Sequence, residues 1–258
     1  MQPKLILTTL SALFMLSGGN CPLQGHPQAA LQPQNNTLFE HVRDIPVPEG
    51  FRRSPSDRQS FCTWLRNIRL KPDNIVYLYN GTPKKNQSAQ FAVLDIYVGA
   101  KDLQQCADAV MRLKAEYLYG QRRFKEIVFI DNTGKKYLCP DSPDASAFEK
   151  YLEKVYSYCG TSSLSKQLRP VAEFKNIEAG NVIIKGGFPG HAVIVIDVVV
   201  NTNGQKRYLI AQSYMPAQSV HILPNPRNNL SPWYNADDVS DFIETPEWTF
   251  SKTQLKQW

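Results

Sequence analysis

The stretch from Gly180 to Tyr214 limits the fold more than any other. A short apolar strand, Asn181–Lys185, runs into the turn Gly186-Gly187-Phe188-Pro189-Gly190. His191 follows, then the β-branched run Ala192–Val200, a turn at Asn203-Gly204, and a return strand Tyr208–Gln212. β-branched and aromatic residues favour pleated, half-buried backbone, so this stretch predicts at least three strands. A histidine just past a Gly/Pro turn, at the mouth of a strand, is held on rigid backbone beside a cleft. A general base is well served by such a position.

The hairpin also sets a geometric test. An imidazole acting as base needs a polar side chain to orient it, and Gln212 on the returning strand is the candidate. A two-residue Asn-Gly loop pairs Thr202 with Gln205, and therefore Val195 with Gln212. His191 and Gln212 then share a face but lie four residues apart, roughly 13 Å at about 3.3 Å per residue. The pair can meet only if the loop is longer, starting near Asn201, or if a bulge shifts the register. Asp197 has the same parity as His191 and lies farther still, so it reads as a buried or edge carboxylate.

Upstream, Ser60 predicts an N-cap for a short helix over Phe61–Ile68. Asn74–Tyr79 and Gln90–Val98 read as strands. Asp102 reads as the cap of a helix from Leu103 to about Tyr119, closed by Gly120. Ile127–Ile130 and Lys136–Cys139 form a hairpin, and Asp144 caps a helix through Tyr158. Gly160–Arg169 reads as a polar loop. Beyond the central stretch, Ser219–Leu223 is a short strand carrying His221, which alternates with apolar residues as a satisfied core or cross-strand histidine does. The tail holding Trp233, Tyr234 and Trp248 is aromatic and irregular. No regular βαβ alternation appears, so the expected class is α+β with a largely antiparallel sheet and helices packed on it.

The N-terminus reads as an address. Lys4 precedes the apolar run Leu5–Leu16 and the small residues Ser17-Gly18-Gly19, the pattern of a secretory signal over residues 1–20. Cys21 resembles the acylated cysteine of a bacterial lipoprotein, which would make it the first mature residue and a lipid anchor. Residues 21–44 read as a flexible tether, and 45–258 as a single domain. Localisation is expected to be extracytoplasmic, either periplasmic or membrane-anchored, with membrane contact only through Cys21. Basic residues exceed acidic ones, 29 to 23, but they are scattered. That argues against a nucleic-acid partner.

Several chemistries fail on inventory. There is no glycine-rich phosphate loop and no Cys-x-x-Cys pair, and no cofactor is expected. The four histidines are His26, His41, His191 and His221. Two of them lie near the tether, so a multi-histidine metal site is not expected. What remains is a cysteine with a histidine. A thiol becomes a nucleophile beside a base or a helix N-terminus. Cys62, in the first turn of its helix, and Cys106, in the second turn of its own, both qualify. The helix field falls off within a turn, which favours Cys62. Cys106 also reads as a packed core thiol. Cys139 and Cys159 read as bridge partners or small buried hydrophobes.

Four segments resemble a family of bacterial secreted proteins and lipoproteins, the domain of unknown function 4846. They are Ser60-Phe61 with Trp64-Leu65-Arg66, the run Asp102 to Leu113 with Ala115-Glu116-Tyr117-Leu118, Gly187 to Val193, and Ala211 to Gln218. In that family's pattern the cysteine of the Gln-Cys-Ala-Asp helix belongs to the motif, which selects Cys106 over Cys62. More distantly, Glu178 to Ile183 followed by Pro189-Gly190-His191-Ala192-Val193-Ile194 looks like the second half of NlpC/P60 and related papain-like amidases. In those enzymes the order is cysteine, histidine, polar residue, here Cys106, His191 and Gln212. Asn181 departs from their usual Asp, and Cys106 lacks their Asp-Cys-Ser-Gly context. The resemblance implies a papain-like, NlpC/P60-like fold and a cell-envelope cysteine hydrolase. Its implied substrate is an amide of a peptide or of a peptidoglycan stem. The alternative is a non-catalytic envelope binding module on the same scaffold.

Overall fold

The computed structural model describes residues 39–228, 231–238 and 240–258. The expected signal segment, Cys21 and His26 lie outside the described residues. At the start of the described residues Val42 is fully buried, and His41 bridges to Arg69.

The strands in chain order are β1 (Phe51–Arg53), β2 (Ala92–Val93), β3 (Val128–Ile130), β4 (Lys136–Leu138), β5 (Arg169–Pro170), β6 (Val182–Lys185) and β7 (His191–Asn201). They continue with β8 (Lys206–Gln212), β9 (His221–Ile222), β10 (Tyr234–Asn235), β11 (Phe242–Glu244), β12 (Thr249–Ser251) and β13 (Leu255–Gln257). Four α-helices accompany them: α1 (Phe61–Arg66), α2 (Cys106–Gly120), α3 (Ala145–Tyr158) and α4 (Thr161–Gln167). Nine strands form one sheet in the order β2-β9-β8-β7-β6-β13-β5, with β1 also on β7 and β10 also on β8. Its pairings are antiparallel. The class is thus mixed α and β with a large antiparallel sheet.

Alternation along β6, β7 and β8 divides the core into two layers. Val182, Ile184, Ala192, Ile194, Leu209 and Ala211 face a layer with Leu65, Val110, Leu113, Val155 and Leu164 of the four helices. Ile183, Val193, Val195, Tyr208 and Ile210 face the other layer, closed by Ile177, Ile243, Phe250 and Leu255.

The sequence reading needs four corrections here. First, α2 begins at Cys106, with Gln105 as N-cap. Asp102 does not cap it, because its carboxylate accepts the amide of Ala217 at 2.7 Å. Second, the polar segment after Gly160 is helix α4, docked by buried Leu164 and Leu168. Third, Asn74–Tyr79 is no strand and makes only isolated bridges, Tyr77 to Pro83 and Leu78 to Gln218. Fourth, Gln90–Val98 keeps only β2 as strand, because its backbone alternates between partners on two sides: Phe91 and Leu94 donate to Ile222 and Val220, while Lys71 donates to Val93.

The central hairpin carries both of the irregularities that could shift its register. Its loop is three residues long: Asn201 donates to Gln205 at 3.0 Å, and Val200 faces Lys206. The register then runs to Asp197 opposite Leu209, slips by one at Ile196, and resumes with Val195 opposite Ile210 and Ile194 opposite Ala211. Either shift alone would turn Gln212 to the helix side of the sheet. Together they preserve its face and carry it two residues toward His191. The bulge also reverses Asp197, which meets Arg66 at 2.6 Å and Arg53 at 2.7 Å. Its expected shared face with His191 is therefore wrong, because one inserted residue inverts the parity beyond it.

Candidate functional site

Continuing that register places Gln212 opposite Val193, so His191 is its diagonal neighbour. Diagonal cross-strand residues are close enough for polar side chains to touch. His191 Nε2 lies 2.7 Å from Gln212 Oε1.

The direction of this hydrogen bond follows from its surroundings. A carboxylate only accepts. Gln212 Nε2 donates to Glu247 Oε2 at 2.9 Å, and Glu247 is held by Lys84 Nζ at 2.6 Å. The Gln212 amide is thereby oriented with its oxygen toward His191, whose Nε2 must carry the proton. In the neutral ring Nδ1 is then the acceptor. His221 takes the opposite tautomer. Its Nδ1 donates to the carbonyl of Ser219 at 2.8 Å, leaving Nε2 to face the Gln212 amide nitrogen at 3.4 Å. Sequence reasoning left His221 as either a cross-strand surface or a satisfied core histidine, and it is fully buried.

Both rings are kept neutral. Burial pushes His191 down to about 4, against the hydrogen bond to Gln212, which favours the imidazolium. Burial lowers His221 to about 3, with the Lys84 charge adding to the effect. Rings pack around His191, with centroids of Tyr214 at 4.7 Å, Trp248 at 5.3 Å and Phe250 at 5.7 Å. Trp248 of the aromatic tail and Tyr214 reach this histidine. Trp233 and Tyr234 are buried near β10 instead.

Cys106 is the first residue of α2, a stronger position than the second turn expected for it. The field advantage assigned to Cys62 disappears. The nearby amides of Ala192 and Ala107 and its own amide favour the Cys106 thiolate. Ala192 is the residue after His191, so the thiol rests against the backbone of the histidine's own strand. Tyr214 lies beside both groups: its ring packs on His191, and a thiolate at Cys106 would oppose ionisation of its phenol. Burial nevertheless dominates, and with the Asp108 carboxyl nearby the thiol is pushed up to about 11. At rest the pair is a neutral thiol and a neutral imidazole.

Cys106 also lines a cavity of about 250 Å³ with Leu103, Ala107, Phe188, Pro189 and Met215. His191, only 2% exposed, is not among the residues lining it. Among the described residues no hydrogen bond joins Cys106 to His191, whose ring bonds to Gln212. Cys62, Cys139 and Cys159 are free thiols, so the bridge expected as one option for Cys139 and Cys159 does not form. Among the described residues no group of three or more His, Cys, Asp or Glu is placed to hold a metal ion.

Lys84 and Glu247 were missed by sequence reasoning. They lie 163 residues apart in irregular segments, and nothing in their local pattern marks them.

The chain matches a family described as domain of unknown function (4846) over residues 42–141 and 135–257. No curated protein and no solved structure matches it. With the whole span from Val42 to Gln257 accounted for, the chain belongs to the domain of unknown function 4846 family.

Proposed function

We propose that this protein is a cysteine hydrolase of the cell envelope that cleaves an amide, with a papain-like, NlpC/P60-like arrangement of Cys106, His191 and Gln212. The observation that carries this reading is the 2.7 Å bond from His191 to Gln212, with a donor sense that leaves Nδ1 free to accept a proton. The order of elements supports it as well: a cysteine opening a helix packed on the sheet, a histidine opening a strand, and a polar residue ending the antiparallel neighbour.

In this reading the Cys106 sulfur attacks the carbonyl carbon as its proton passes to His191 Nδ1. The carbonyl electrons move to oxygen, which the amides at the start of α2 stabilise. His191 then returns the proton to the leaving nitrogen, the C–N bond breaks, and water hydrolyses the thioester. Burial opposes each charged form taken singly. Proton transfer within the pair creates opposite charges together, which offsets part of that cost. Residues 1–20 and Cys21 support an extracytoplasmic site, periplasmic or anchored by a lipid on Cys21. That location suggests a peptide or peptidoglycan stem-peptide amide as substrate, by analogy alone.

A second reading is a non-catalytic envelope binding module. It is favoured by the thiol at about 11 and the imidazole at about 4, which form no ion pair at rest. Iodoacetamide labelling with peptide mapping separates the two. The enzyme reading expects Cys106 to be alkylated in the folded protein at pH 8, and His191→Ala to slow this about tenfold or more. A Cys106 that stays unmodified while Cys62 labels would sink the nucleophile assignment.

A further inference from the structure

The cavity against Cys106 has three properties that together describe an occupant. The first is exposed apolar surface on a firm support. Phe188 is 100% exposed and Met215 57% exposed, both on the rim. A large apolar side chain left wholly in water carries a cost that contact with a partner removes. Neither rests on a loose loop. A Cβ on Gly190 would lie 2.4 Å from both Gly187 O and Thr161 Oγ1, and one on Gly186 2.9 Å from Ser165 Cβ. The Phe188 turn is therefore seated tightly on α4, with Thr161 Oγ1 donating to Gly187 O at 3.2 Å. The Met215 turn is tied to the approach to α2 by the bond from the Ala217 amide to Asp102.

The second property is charge. Among the described lining residues there is no Lys, Arg or His. The acids present are Asp102, occupied by Ala217 and the Gln105 side chain, and Asp108, whose Oδ2 accepts the Gln105 amide while Oδ1 is buried without a partner. A carboxylate entering here would meet no cation, so the cost of taking its charge out of water would go uncompensated. The third property is size. At about 250 Å³ the space is smaller than the roughly 300–1,000 Å³ of whole-ligand sites, and suits one substituent.

We propose that this cavity is the subsite for an uncharged, apolar side chain on the acyl half of the amide that Cys106 attacks. The proposal rests on the cysteine-hydrolase reading and narrows its substrate class: the residue contributing the carbonyl is apolar, and acidic residues are rejected at that position.

The test compares three alkylating probes on the full-length protein by mass mapping of Cys106: iodoacetamide, N-acetyl-leucine chloromethyl ketone and N-acetyl-aspartate chloromethyl ketone. The leucyl reagent is expected to react about tenfold faster than the aspartyl reagent, the discrimination a small apolar contact supplies. The double variant Phe188→Ser, Met215→Ser alters two exposed side chains. It is expected to bring the two rates, each divided by the iodoacetamide rate of the same protein, within about threefold of each other. Equal rates in the wild type, or a ratio untouched by the double substitution, with Cys106 still labelled by iodoacetamide, overturn the subsite alone. A Cys106 inert to all three probes overturns the nucleophile reading and the subsite with it.

Discussion

The sharpest consequence of the His191–Gln212–Glu247 arrangement is that two buried histidines hold opposite tautomers, and that one carboxylate enforces it. Glu247→Gln is the perturbation. The new amide can present its NH₂ to Gln212, which frees Gln212 to rotate and offer its own nitrogen to His191. His191 would then carry its proton on Nδ1 and lose the acceptor that the proposed chemistry requires. Lys84, 9% exposed, loses the carboxylate that it pairs with. Removing one member of a buried ion pair costs about 3–5 kcal/mol, and the partial exposure of this one puts it toward the lower end. Burial lowers His191 from 6.5 to about 4, which is about 3 kcal/mol against the imidazolium at 1.36 kcal/mol per pH unit. The ring should therefore stay neutral at pH 5.5, where an ordinary histidine is mostly charged. The assay is ¹⁵N NMR of histidine-labelled protein, tractable because the chain has four histidines. In the wild type, His191 should appear as the Nε2–H tautomer and His221 as Nδ1–H, neither titrating above pH 5. In Glu247→Gln the His191 pattern should move toward Nδ1–H, with a lower urea midpoint. A wild-type His191 protonated on Nδ1, or titrating near 6.5, would refute the reasoning.

Three further outcomes can be checked. Asp197→Leu leaves Arg66 nearly buried without its carboxylate and should cost about 3–5 kcal/mol in urea unfolding; a change below 1 kcal/mol would mean the ion pair is solvated in solution. Gly190→Ala forces a Cβ to within 2.4 Å of Gly187 O and Thr161 Oγ1, so the turn must shift. A loss of about 1–3 kcal/mol is expected, seen as a Tm lowered by several degrees, together with a changed His191 NMR environment. Asp108 has its carboxyl raised by burial from 3.8 to about 8, so the folded state keeps a proton the unfolded chain releases. Its contribution is complete below about pH 4 and is lost as pH rises through about 8. Asp108→Asn should flatten that slope and raise stability at pH 8 by up to about 5 kcal/mol, measured by denaturant titration across pH.

The strands at the centre were legible because Ala192–Val200, apolar or β-branched at every position but Asp197, lies between two turn signals and admits little else. Helices α1 and α3 were legible through Ser60 and Asp144, whose side chains accept the amides of Thr63 and Ala147 as local chemistry demands. The start of α2 was misread because the carboxylate of Asp102 was claimed by Ala217, 115 residues away, and no local rule sees that. Helix α4 escaped because Ser162, Ser163, Ser165 and Lys166 dilute its two docking leucines. At the site, His191 and Gln212 could be named from spacing, and the register argument stated what bringing them together required. Which of the two remedies would occur was not legible, since both did. Lys84 and Glu247 come from irregular chain, and only the fold brings them to Gln212.

The slip at Ile196 binds two matters that look separate. The same extra residue that advances Gln212 toward His191 also swings Asp197 under Arg53 and Arg66. A variant that lost it would disarrange the imidazole's support and, at the same time, leave two guanidinium groups, that of Arg66 nearly buried, without their carboxylate. Folding and site geometry are thus inherited together: pressure to keep this protein folded is, at this position, also pressure to keep His191 aimed. Drift in the hairpin is correspondingly quantised, since changes that survive must add or remove residues in compensating pairs.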